Sequence, residues 1–216
     1  MERMYYLGFA IIVVGVSVLL LHGIIKISAS RIKQETNILH ELEKKILELN
    51  LKTKVFSHNH KCSPIYDISG DIIELENKNT FPLFCSAFHE LGHAYFNKYC
   101  SIARYTKEGI LIKKEQSEKL HPYFYTITVI LISVSSIAMF WWKALSIILS
   151  ILAILLFTSV LREEFMASIT AMNVIKASKY LNKKQTFIGG LYLISLLGTY
   201  MYLFFIPVML IIYNIL

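Results

Sequence analysis

The sequence predicts a mostly α-helical membrane protein, with about four transmembrane helices and a small cytosolic α+β domain. Three observations predict it. First, 55% of its 216 residues are hydrophobic and only 17% are charged. Its mean hydropathy is +0.53, whereas soluble domains carry about 25% charged residues. Second, Tyr5–Ile25, Tyr123–Trp142, Ala144–Leu161 and Phe187–Leu216 are each apolar over about the length of a bilayer crossing. Third, Lys and Arg are unevenly shared between the two sides those crossings define. Arg3 and Lys143 fall on one side, while 15 from Lys26 to Lys119 and five from Arg162 to Lys184 fall on the other. A bias of twenty against two places that second side in the cytoplasm and both termini outside. The net charge of +7 is thereby a topology signal. No basic run is interleaved with aromatics as a nucleic-acid groove requires, so no nucleic-acid partner is expected.

Residues 1–30 read as an N-terminal anchor. A cleaved leader is disfavoured, because the apolar core is long and Lys26 precedes the small residues Ser28, Ala29 and Ser30. Residues 31–121 form the cytosolic domain. Ile32, Leu39, Leu42, Ile46 and Leu49 recur at helical spacing, which predicts an amphipathic helix over Arg31–Asn50. Leu51–Ser57 alternates like a short strand. Ile65–Glu76 reads as a hairpin about Ser69-Gly70-Asp71. Thr80-Phe81-Pro82 then starts a buried helix running to Tyr99. Arg104–His121 reads as a charged loop with a short strand near Gly109–Ile112. Residues 122–161 form a transmembrane hairpin turning at Trp141-Trp142-Lys143, and 162–186 a cytosolic helix continuing its second arm. Residues 187–216 form the last crossing, interrupted by Pro207. The odd count of cysteines (Cys62, Cys85, Cys100), with no Cys-x-x-Cys pair, predicts reduced, small packing residues.

Within the buried helix lies His89-Glu90-Leu91-Gly92-His93. Histidines four apart share one helix face and offer two imidazole nitrogens to one metal ion. Glu90 is offset around the helix and reaches an activated water without ligating the metal. Zinc lowers the pKa of that water and the carboxylate takes its proton. With seven His and thirteen Glu in the chain, such a motif arises by chance in roughly 1% of random orders. Burying two imidazoles and a carboxylate among Phe88, Leu91, Tyr95 and Phe96 is costly unless they are paired or metal-bound.

A third ligand is required. Phe96 and Tyr99 stand where a metzincin needs Gly and His, which excludes that class. A glutamate ligand on a second helix remains. Glu108, Glu115 and Glu118 lie in the lysine-rich loop and read as solvated charges. Glu163 and Glu164 lie where the third crossing emerges on the cytoplasmic side, and the residues alone do not choose between them. His58, His60, Arg104 and His121 are unranked candidates for an oxyanion donor.

The order of these features resembles the YugP-type neutral zinc metallopeptidases of bacterial membranes, a gluzincin-like family, over nearly the full length. The resemblance rests on Tyr66-Asp67 before the zinc helix, the block Ala87–Ala94, and Glu164-Phe165-Met166-Ala167-Ser168. It implies a zincin-like cytosolic domain and Zn2+ held by His89, His93 and Glu164, with Glu90 as catalytic base. It also implies a multi-pass plasma-membrane enzyme whose active site faces the cytoplasm and whose substrates are membrane proteins or short peptides. Ile65, Ile68 and Met166 depart from the family pattern, where His, Pro and Asp are usual. Two other functions compete. A site-2-type intramembrane protease needs an Asp-Gly ligand pair in a later crossing, and the chain has no Asp-Gly. A non-catalytic zinc-containing binding or immunity module has no use for Glu90.

Overall fold

The computed structural model describes residues 2–99, 114–178 and 181–215. In chain order its elements are α1 (Glu2–Ser30), α2 (Ile38–Glu48), β1 (Lys54–His58), β2 (Ile65–Asp67), β3 (Ile72–Glu76), α3 (Phe81–Tyr99), α4 (Lys114–Ala138), α5 (Lys143–Ala177) and α6 (Lys183–Ile215). The chain is thus mostly helical, with six helices and one three-stranded mixed sheet among the described residues. Three of those helices (α1, α5 and α6) are long and apolar enough to cross a membrane. The apolar part of α4, Tyr123–Ala138, is shorter than a crossing.

Two compact units result. One comprises Met1–Leu21, Lys119–Arg162 and Gly198–Leu216. Its helices expose large apolar side chains such as Phe9, Ile12, Ile148 and Leu155, as lipid-facing surfaces do. Several of their buried polar groups bond between helices. Ser135 Oγ lies 2.7 Å from Ser150 Oγ, and Asn214 Nδ2 donates to Ser146 Oγ at 3.1 Å. Tyr202 Oη donates to the Ile11 carbonyl at 3.0 Å. It fits there because position 15 is glycine: a Cβ at Gly15 falls 2.5 Å from that hydroxyl.

The other unit comprises His22–Glu118 and Glu163–Leu197, and it holds the site. The amphipathic helix predicted over Arg31–Asn50 is shorter, and its caps explain the difference. Asn37 Oδ1 accepts from the amides of Leu39 and His40 at 3.0 and 3.3 Å, so α2 starts at Ile38. At the other end Asn50 adopts φ 53°, and the Asn50 and Leu51 amides bond back to Leu47 and Ile46. That Schellman stop turns the chain into β1. Ile38, Leu42 and Ile46 form its buried stripe.

The hairpin forms as predicted: β2 pairs antiparallel with β3, with Tyr66 opposite Ile73. Its turn closes on Asp67, which accepts from the amide and hydroxyl of Ser69 at 3.0 and 2.7 Å. Unforeseen was β1 joining β3 in parallel, Lys54 opposite Ile72, which gives the order β1-β3-β2. Ile73 and Leu75 of the central strand bury against Phe81, Phe84, Phe88 and Leu91 in one core.

Three further expectations change. Helix α4 begins at Lys114, so the loop expected up to His121 is already helical in its last part, and Pro122 lies inside the helix. The strand expected near Gly109–Ile112 lies outside the described residues. The helix expected over 162–186 is two pieces. Helix α5 continues unbroken from its apolar stretch to Ala177, and α6 starts at Lys183. Asn182 and Gln185 cause the restart by bonding reciprocally to each other's backbone amides, both at 2.9 Å. Helix α6 then runs on through Pro207.

Candidate metal centre

Helix α3 carries His89 and His93 one turn apart, and α5 carries Glu163, Glu164 and Ser168 on the stretch facing them. Gly92 makes the meeting of the two helices feasible. A Cβ at that position falls 2.3 Å from the Ala167 carbonyl oxygen and 2.7 Å from its Cα. Only glycine allows backbone to approach backbone this closely. Ala87, Ala94, Ala167 and Ala171 are buried beside it.

That approach brings three ligand atoms together. His89 Nε2 lies 3.1 Å from Glu164 Oε2 and 3.2 Å from His93 Nε2. His93 Nε2 lies 3.7 Å from Glu164 Oε1. One atom from each of the three side chains falls within 4.8 Å of the others. Ligands at zinc's bond lengths of about 2.0–2.1 Å, set tetrahedrally, stand roughly 3.3 Å apart. The group therefore could hold a metal ion, and two nitrogens with one carboxylate is a donor set that zinc accepts. His89 and Glu164 are buried, and the His93 side chain is only 12% exposed.

The far side of each imidazole is also held. His93 Nδ1 lies 3.4 Å from Glu163 Oε1, and His89 Nδ1 lies 3.4 Å from Ser168 Oγ. A carboxylate on Nδ1 fixes that atom as the protonated one and frees the Nε2 lone pair. Burial opposes charge on His93, but Glu163 and Glu164 outweigh it, and the imidazole's pKa is pushed up to about 10. In the metal-free protein this ring serves as the cation between two carboxylates.

Glu90 sits beside the group and outside it. Its Oε2 accepts from the Tyr66 backbone amide at 2.9 Å. Burial raises its carboxyl pKa, against the pull of His93 and His89. Tyr66 also lines a cavity of about 460 Å³, together with Thr53, Ile68, Asp71, Ala94 and Asn97, among others.

Of the sequence candidates, the structure brings together His89, His93, Glu164 and Glu90, with Glu163 behind His93. His58 instead pairs with Glu74 at 3.5 Å, and its ring faces that of His60 at 4.9 Å. Neither contacts the group. Arg104 and Glu108 lie outside the described residues, as do the side chains of Glu115, Glu118 and His121. Cys85 is a buried free thiol and Cys62 a half-buried one, while Cys100 lies outside the described residues. Sequence reasoning assigned no role to Ser168, although it stands four residues after Glu164 and so on the same helix face. It read Asp71 only as a turn residue. That residue, rather than Asp67, meets the Tyr66 hydroxyl, at 3.0 Å.

A scan against protein-family models finds no match to this chain, and searches of curated proteins and of solved structures find none either.

Proposed function

We propose that this chain is a membrane-anchored zinc metalloendopeptidase. It hydrolyses peptide bonds of membrane-associated proteins or short peptides at the cytoplasmic surface. The observation that carries this reading is the convergence of His89, His93 and Glu164 with a fourth group, the Glu90 carboxylate, adjacent but outside the ligand set. The resemblance of the blocks at 87–94 and 164–168 to YugP-type peptidases supports it. The uneven Lys and Arg distribution supports the cytoplasmic side. Four crossings, with His89 and His93 between the first and the second and Glu164 just after the third, are part of the proposal.

His89 and His93, with Glu164 through its carboxylate, are the residues that would hold zinc. When bound, zinc supplies Lewis-acid chemistry: it acidifies water and polarises the substrate carbonyl. Glu90 takes the proton from the attacking water and delivers it to the departing amine nitrogen. A carboxyl whose pKa burial has raised suits both transfers. Glu163 and Ser168 keep the two imidazoles oriented. Two histidines and one carboxylate also suit non-haem iron. The unligated glutamate one residue after His89 favours hydrolysis instead.

An impermeant chelator tests metal dependence and sidedness together. EDTA should stop cleavage of an added casein by inside-out membrane vesicles, and added zinc should restore it. Right-side-out vesicles should not cleave external casein at all. Cleavage that persists in EDTA, or that appears at the outer face, would overturn this reading.

A further inference from the structure

The hydrogen bond on Glu90 begins a longer chain of contacts. Tyr66 lies in β2, at the edge of the sheet, and its amide points away from β3 to the Glu90 carboxylate. The other end of the same residue is held by two side chains. Its phenol donates to Asp71 Oδ1 at 3.0 Å and accepts from Asn97 Nδ2 at 3.0 Å. Asp71 Oδ1 also accepts from Thr53 Oγ1 at 2.7 Å. The hairpin turn and the last turns of α3 thereby hold one side chain of β2, and the end of the α2–β1 connection holds Asp71 in turn. Tyr66 is buried, so its phenol has little freedom to choose other partners. Asp71 occupies the left-handed region at φ 51°, which sets its carboxylate at the head of β3.

We infer that Tyr66 is the positioning residue of the general base, and that Asp71 acts on Glu90 through it. A carboxylate must be held within a fraction of an ångström to accept a proton in line. The metal ligands cannot do this for Glu90, which is not one of them. The edge-strand amide does. The rigidity of that amide comes from the phenol's anchors, since a three-residue edge strand is weakly held by its own ladder. Thr53, Tyr66, Asp71 and Asn97 all line the 460 Å³ cavity, so a substrate side chain entering it touches the same network. The inference rests on Glu90 being the base.

The test uses two substitutions at Asp71 in the full-length, zinc-loaded protein. Asp71→Gly keeps the positive φ and removes the acceptor. Asp71→Asn keeps both. Asp71→Gly should lower kcat on casein by about tenfold or more, with KM and zinc stoichiometry within about twofold. Asp71→Asn should restore most of the rate. A second readout needs no catalysis. In protein labelled with 15N-tyrosine, the Tyr66 amide bonded to a carboxylate should resonate downfield. It should move upfield in Glu90→Ala, and also in Asp71→Gly although Asp71 does not touch it. An unmoved Tyr66 amide in Asp71→Gly would overturn the coupling. So would a kcat loss that tracks loss of zinc. If wild type cleaves nothing, the peptidase reading fails, and the amide shift still decides whether Asp71 governs Glu90.

Discussion

The Gly92 Cα–H faces the Ala167 backbone so closely that a methyl group on Gly92 overlaps the Ala167 carbonyl. This contact joins the helix bearing two imidazoles to the helix bearing the carboxylate. It sets their separation to the reach of one metal ion. Its obstacle is backbone, which cannot rotate aside as a side chain can.

Gly92→Ala should therefore force α3 and α5 apart. Overpacking of this kind costs about 1–3 kcal/mol or more, and the displacement opens the ligand triangle. We expect a lower melting temperature and a zinc content well below one per chain, read by metal analysis of the purified protein. A fully loaded Gly92→Ala protein would show that the helices do not meet as described.

The two adjacent glutamates should separate by degree. Glu164→Ala removes a member of the ligand group and should abolish stoichiometric zinc. Glu163→Ala removes the acceptor on His93 Nδ1, and loss of such an outer partner costs roughly 10–100-fold in metal affinity. Competition with a chromogenic chelator measures both. Tighter zinc in Glu164→Ala than in Glu163→Ala would exchange their roles.

Zinc affinity should rise with pH. His93 in the metal-free protein keeps its proton up to about pH 10, because Glu163 and Glu164 outweigh the effect of burial. Zinc must displace that proton. For one proton released, affinity rises about tenfold per pH unit below that pKa. Calorimetry in buffers of different ionisation enthalpy counts the protons. A pH-independent affinity between pH 6 and 8 would contradict a protonated His93.

Much of the site was legible because its rules are local. Two histidines four apart must share a helix face, and a Ser-Gly-Asp turn between short apolar runs closes a hairpin. Glu164 was harder. The residues alone left it level with Glu163, and the family resemblance selected it. In the structure both carboxylates reach the histidines, from different sides of His93. The parallel pairing of β1 with β3 was not legible, because a strand's partner is set by tertiary packing rather than by its own pattern. The break before Lys183 was hidden by an amphipathic run without Gly or Pro. The cue was Asn182 with Gln185 three residues on, a capping pair that reads as one only in retrospect. Asp71 was legible as a turn residue but its bond to the Tyr66 hydroxyl was not, because Asp67 is the sequence neighbour of Tyr66 and yet turns away to Ser69.

The claim that this is a zinc peptidase with Glu90 as its base meets its most direct test in one comparison. Wild type and Glu90→Gln are purified in detergent, their zinc is measured, and both are assayed on casein. The expected result is equal zinc, near one per chain, with cleavage by wild type only. Equal cleavage by both proteins would contradict the account.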